Sequence, residues 1–270
     1  MSNIIEIKGL KKSYGTNTVL NGIDLVVHKG EIFALLGANG AGKTTTLECI
    51  EGLRIYDSGN ITVNGKIGIQ LQSSALQAHI KPMEAVNLFA KWNKTVPDNE
   101  MLKSLGIYEL SKKKYAELST GQKRRLHLAL ALIGNPDIIF LDEPTAGLDV
   151  EGRVSLHEQI RALKSQDKTI ILASHDMAEV EDLCDRIAVL RDGKIAFVGT
   201  VDEFTATHGK RHIIRIKTAD GQKYYETENI TETLFAVLTE YKQKGISISE
   251  IQTDRISLEQ NFINVVRGAD

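Results

Sequence analysis

The chain has 270 residues, 42% of them hydrophobic and 25% charged, with a formal net charge of −2. That length suits one large domain with an appendage, and the composition is that of an ordinary globular protein. The near-zero charge excludes a bulk positive field for nucleic acid or acidic lipid. No apolar run reaches the ~20 residues of a membrane span, and Met1-Ser2-Asn3-Ile4-Ile5-Glu6 lacks a signal-peptide pattern. A cytosolic chain is expected, with any membrane attachment made through a partner. Cys49 and Cys184 fall in predicted helices and read as small buried hydrophobes.

Ile4 to Lys8 predicts a strand, with Tyr14-Gly15 in the loop after it. Ile23 to His28, Lys29-Gly30 and Glu31 to Leu36 read as a hairpin with a buried second strand. Next comes Gly37-Ala38-Asn39-Gly40-Ala41-Gly42-Lys43-Thr44-Thr45, which opens a helical run ending near Glu51, with Gly52 at C′. Strand, glycine-rich loop and helix together form the context of a phosphate-binding loop. Its glycines let backbone N–H groups converge, and the helix adds its unpaired N–H groups and positive dipole end. Lys43 would reach the β- and γ-phosphates, and the Thr44 hydroxyl would ligate Mg²⁺.

Short strands follow at Ile61 to Val63 and Ile67 to Leu71. From Pro82 to about Leu118 the apolar spacing is helical, and Pro82 and Pro97 suit first helical turns. This stretch reads as a helical subdomain inserted into an α/β core. The core resumes with a helix from Gln122 to Ile133 and a buried strand from Asp137 to Asp142. A helix from Val154 to Leu163, a strand from Thr169 to Ala173 and a short helix from Met177 to Asp182 follow. A hairpin turns at Asp192-Gly193. Alternating strands and helices imply a largely parallel sheet, completed by an antiparallel sheet from the N-terminal strands. Beyond a linker near 207–210 the order β-β-α-β-α implies a small C-terminal domain. Its signals are the Asp220-Gly221 turn, Asn229 with Glu232 before a helix, Gly245 after it, and Ser257 with Gln260 before the last helix.

Further motifs narrow the chemistry. Ile138 to Glu143 is an apolar strand ending in two carboxylates. Asp142 at the tip can hold Mg²⁺, and Glu143, whose side chain points elsewhere, can orient and polarise the water that attacks a γ-phosphate. Leu118-Ser119-Thr120-Gly121-Gln122 precedes a helix, with Ser119 as N-cap and an anion site at the helix start. The Lys123-Arg124-Arg125 run reads as a helix face rather than a nucleic-acid patch.

Here the chain resembles the ATPase subunits of ATP-binding-cassette (ABC) transporters, whose signature is usually Leu-Ser-Gly-Gly-Gln; Thr120 replaces the first glycine. Pro144-Thr145-Ala146-Gly147-Leu148-Asp149 looks like the family's D-loop, with Asp149 reaching the opposite subunit. His175 looks like the switch histidine, and Tyr14 like the aromatic that stacks on adenine. Gln72 looks like the Q-loop glutamine, at once a metal ligand and a hinge, because the family's glutamine sits five residues after the Ile of Ile-Gly; Gln70 is the rival.

The resemblance spans about Ile4 to Thr200 and implies a P-loop (RecA-like) α/β fold with an antiparallel β subdomain and an inserted helical subdomain. It divides the chain into a nucleotide-binding domain, residues 1–207, with its helical subdomain at about 73–118, and a small C-terminal α+β domain, residues 211–270. It implies ATP and Mg²⁺, hydrolysis involving Lys43, Gln72, Glu143 and His175, and a dimer in which Ser119, Thr120, Gly121 and Gln122 of one copy face the P-loop of the other. It also implies membrane permease subunits that hold this chain on the cytoplasmic face of the membrane. Phe89 and Trp92 read as core of the helical subdomain, with a place in the docking groove as the alternative, and the charge argues for no nucleic-acid partner. The connection from Val63 to Gln72 is very short for the family. Arg255 to Ile263 is similar to the endings of bacterial drug and lantibiotic exporter ATPases, which favours export; an importer ATPase or a soluble ABC ATPase are the alternatives.

Overall fold

The computed structural model describes residues 2–70, 76–174, 176–208, 212–219, 221–255 and 258–267. Two compact units result, Met1–Val198 and Gly199–Asp270.

In the first unit, β1 (Asn3–Tyr14) and β2 (Asn17–His28) pair antiparallel, and β4 (Ser58–Val63) joins the other edge of β1. Ile5, Ile7, Ile23 and Leu25 bury one face of this sheet in a core shared with Phe33, Leu35, Leu47 and Phe140. This corrects two expectations. Tyr14 is the last residue of a strand, and β2 pairs with β1 rather than with the strand that follows it. The reason is burial. β3 (Ile32–Gly37) is buried at every position and takes a parallel neighbour on each side, β7 (Thr169–Ala173) and β8 (Arg186–Arg191). By contrast, β2 alternates between buried and solvated positions and suits a sheet with one wet face.

The second sheet runs β5-β6-β7-β3-β8-β9, where β5 is Ile67–Gln70, β6 is Ile138–Asp142 and β9 is Lys194–Thr200. Strands β5 to β8 are parallel where they pair. The β8–β9 turn has Asp192 and Gly193 at φ 50 and 70, as its sequence implies. Helices α1 (Lys43–Ile50), α4 (Thr120–Leu132), α5 (Val150–Ser165) and α6 (Met177–Leu183) follow β3, precede β6, follow β6 and follow β7. Between β5 and α4 lie α2 (Pro82–Trp92), α3 (Asn99–Ser104) and two short 3₁₀ turns. Pro82 opens α2 as expected. Pro97 does not open α3: Asp98 is its N-cap and accepts the Glu100 and Met101 N–H groups. α5 starts earlier than its apolar spacing implies because Asp149 caps it.

In the second unit α7 (Val201–His208) was not expected. Its signal is a capping box: Glu203 N–H donates to Thr200 Oγ1 and Thr200 N–H to Glu203 Oε2. Then β10 (His212–Thr218), β11 (Gly221–Thr227), α8 (Ile230–Gln243), β12 (Ile248–Arg255) and α9 (Leu258–Arg267) keep the expected β-β-α-β-α order. The sheet is β11-β10-β12, and Val237 and Tyr241 of α8 pack on Ile214 and Ile216. Asn229 caps α8, and Gly245 follows it at φ 65. Gln72, His175, Asp220 and Ser257 lie outside the described residues.

Candidate active site

The loop between β3 and α1 is shaped by what its glycines avoid. A Cβ on Gly37 would lie 2.6 Å from the Leu190 carbonyl oxygen. One on Gly42 would lie 2.7 Å from Leu20 Cδ2, and Gly42 has φ 104 at the N-cap of α1. Lys43 folds back over the loop, its Nζ donating to the Gly37 carbonyl at 2.6 Å and the Ala38 carbonyl at 3.2 Å. Burial pushes the Lys43 pKa down, against the opposing pull of Glu143 and Asp142.

A cavity of about 440 Å³ opens over this loop, lined by Asn39, Gly40, Gly42, Lys43, Thr44 and Thr45 with Asp142, Glu143 and Ala173. The loop and the two acidic residues, distant in sequence, thus share one cavity. Asn17 and Val19 of β2 complete it; no motif marks either of them. Gly37 and Ala38 serve instead as carbonyl partners of Lys43, and Ala41 packs against the core. A further cavity of about 530 Å³ between α3 and α5 contains none of these groups.

Asp142 ends β6 opposite Ala173 of β7. Burial, then the neighbouring Glu143 charge, raises its pKa. Glu143 sits at φ 46, in the left-handed region, where a side chain other than glycine's is strained. Its N–H donates to the Ala173 carbonyl at 2.9 Å, which holds the strained residue against β7. Glu51 at the end of α1 is pushed up to about 7, by burial first and then by Asp142 and Glu48.

Ser119 caps α4: its Oγ accepts the Gln122 N–H at 3.3 Å, and Gln122 Oε1 accepts the Ser119 N–H at 3.1 Å. Asp149 Oδ1 accepts the Gly152 N–H at 2.9 Å. Ser119, Gly121, Gln122 and Asp149 line a second cavity of about 310 Å³, which shares no lining residue with the P-loop cavity. Tyr14 is exposed between Lys12 Nζ, 5.3 Å from its ring centroid, and Arg54 Cζ, at 5.4 Å. It does not line the P-loop cavity.

A strand–glycine loop–helix on a parallel sheet, with a carboxylate pair from another strand at the same cavity, defines a P-loop nucleoside triphosphatase. The family model described as ABC transporter matches residues 20–146. The chain is 36% identical over 231 residues to the linearmycin resistance ATP-binding protein LnrL of Bacillus subtilis, covering 79% of this chain and 74% of that one. It is 34% identical over 270 residues to the Nod factor export ATP-binding protein I of Rhizobium sp. (strain N33), covering 90% and 89%. A solved ATP-binding subunit of an ABC transporter matches with a TM-score of 0.68 at 26% identity, covering 76% and 92%. The chain belongs to the ABC transporter family, as an ATP-binding, ATP-hydrolysing subunit. Membership implies pairing of two such subunits and membrane permease partners.

Proposed function

We propose that this subunit powers export of a drug-like, antimicrobial-peptide or lipid-like compound through separately encoded membrane subunits, and that two copies share two ATP sites. Relatives named for linearmycin resistance and for Nod factor export support the direction of transport. One observation carries the shared site: the P-loop cavity and the signature cavity of one copy have no lining residue in common. The signature of one copy is then free to cap the triphosphate held by the other, and a two-fold pair makes both sites from one gene product.

In this reading Lys43 exchanges its loop carbonyls for β- and γ-phosphate oxygens, and the N–H groups of Gly40 to Thr45 cradle the phosphates. Glu143 orients the attacking water and takes up its proton. Ser119, Gly121 and Gln122 of the second copy stabilise charge on the γ-phosphate, and its Asp149 lies across the dimer interface. Thr120 takes the place of a signature glycine. Tyr14 stacks on adenine, and Gln72 and His175 report on the γ-phosphate. Mg²⁺ fits the donor set: the Thr44 hydroxyl and the Asp142 carboxylate, both hard oxygen ligands, line one cavity. Burial and then the Glu143 charge raise the Asp142 pKa, and a cation would offset both, supplying charge neutralisation at the phosphates when bound.

By function, residues 1–207 act as the nucleotide-binding domain, with the helical subdomain at about 73–118, and 211–270 as an α+β module; by compactness α7 (Val201–His208) goes with the second unit, which begins at Gly199. No helix among the described residues is long and apolar enough to cross a membrane. The permease subunits would therefore hold the protein on the cytoplasmic face.

The test uses full-length Glu143→Gln with Cys49 and Cys184 replaced by serine and cysteines placed at Asn39 and Ser119. Mg-ATP should produce a dimer on gel filtration that cross-links between those two positions. A monomer with saturating Mg-ATP overturns the shared site. Unchanged drug sensitivity of a deletion strain across amphiphilic antibiotics overturns the export assignment.

A further inference from the structure

Glu179 of α6 is 3% exposed, yet it lines neither the P-loop cavity nor the signature cavity. A carboxyl so deep needs partners. Its Oε2 accepts the Ser174 hydroxyl at 2.5 Å, and the Thr145 hydroxyl faces the same carboxyl. Ser174 Oγ in turn accepts the Asp176 N–H at 3.1 Å. On the far side His157 of α5 stands with Nε2 3.7 Å from Glu179 Oε1 and with Nδ1 2.9 Å from Asp182 Oδ2. Burial raises the Glu179 pKa; the two hydroxyls and His157 pull the other way.

Ser174 directly follows β7. Thr145 belongs to the turn that leaves β6 at Glu143 and ends at Asp149. The same two segments meet once more, through the Glu143 N–H on the Ala173 carbonyl. That backbone bond fixes only the start of the turn. Glu179 supplies the second point, and two points fix its direction.

We propose that Glu179 is a positioning residue for ATP hydrolysis, clamping the turn from Glu143 to Asp149 onto the end of β7 so that Glu143 keeps its aim. The proposal rests on the assignment of Glu143 as the residue that orients the attacking water. Misplacing such a group by about 1 Å costs about 100-fold in rate while leaving the phosphate-binding groups in place.

The experiment measures kcat, KM, ATP affinity and thermal midpoint for the purified full-length chain. Glu179→Ala should lower kcat by about 10- to 100-fold and change ATP affinity by less than about twofold. Glu179→Gln retains oxygen and nitrogen for both hydroxyls and should recover most of the rate. Ser174→Ala should fall in the same direction, and adding it to Glu179→Ala should cost little more, because both remove one network. A purely structural role would move the thermal midpoint and ATP affinity together with kcat and would not be rescued by glutamine; that pattern overturns the proposal. So does wild-type kcat in Glu179→Ala or, if that variant does not fold, in Ser174→Ala. Glu143→Gln runs alongside: full turnover there overturns the assignment beneath the proposal, whereas an inactive Glu143→Gln beside a fully active Glu179→Ala overturns the proposal alone.

Discussion

A Cβ placed on Gly147 would lie 3.4 Å from Cγ2 of Thr120. The residue that replaces a glycine in the signature therefore packs over a glycine in the turn after Glu143. A side chain at residue 147 would just come into contact with the Thr120 methyl group. Gly147 also has φ 76, which costs an L-residue about 1–2 kcal/mol. Gly147→Ala should lower stability by about that amount in denaturant titration and should lower ATPase activity. Adding Thr120→Gly removes the contact but not the backbone strain. Activity should then recover while stability does not.

The half-buried ammonium of Lys43 donates to two loop carbonyls, and burial lowers its pKa against the pull of Glu143 and Asp142. Lys43→Met removes that desolvation cost, so the nucleotide-free protein should melt no lower than wild type. The rise in melting temperature with Mg-ATP should be lost, since ligand stabilisation follows affinity for the folded state. A thermal-shift titration with and without Mg-ATP measures both. An undiminished rise would remove Lys43 from the phosphate site.

Motifs that are contiguous in the chain were legible in the sequence. The P-loop, Ile138 to Glu143 and Ser119 to Gln122 each carry their own geometry: a glycine-rich loop, an apolar strand with an acidic tip, and a helix cap. Pairing between strands was less legible, because neighbours in sequence compete as partners. Adjacent in sequence, β2 and β3 read as a hairpin, yet continuous burial sends β3 to the interior of the parallel sheet. Asn17 and Val19 reach the P-loop cavity only because β2 lies beside the loop, and nothing in their types announces it. The Thr145–Ser174–Glu179 network draws on three segments, and each residue alone reads as a turn, loop or helix polar group.

His127 of α4 is 9% exposed and bonded to Tyr115 Oη at 2.9 Å. Burial, then Arg124 and Lys123, push its pKa down from 6.5 to about 4. Between those values the unfolded chain binds a proton there that the native state does not. Stability therefore falls as pH drops from 6.5 towards 4. His127→Gln keeps a polar partner for Tyr115 and removes the titration. Urea midpoints taken across that range should show a shallower acid-side slope for the variant, and an unchanged slope would mean His127 titrates normally.

Gly68 sets how closely the signature helix approaches the sheet. It lies on β5, and a Cβ there would come within 2.2 Å of the Ala131 carbonyl oxygen and 2.8 Å of Pro136 Cγ. Both atoms are backbone or ring, so neither can swing aside as a flexible side chain would. Gly68→Ala forces α4 away from β5, and overpacking of this kind costs about 1–3 kcal/mol. Ser119 and Gly121 sit at the start of that helix, whereas the P-loop hangs from β3, which is separated from β5 by β6 and β7. The variant should therefore bind ATP nearly as wild type while its ATP-driven dimer weakens and its ATPase rate falls. ATP affinity by equilibrium dialysis and dimer formation in a Glu143→Gln background separate the two effects. Equal losses in both would mean that displacing α4 disturbs the whole sheet rather than the signature end alone.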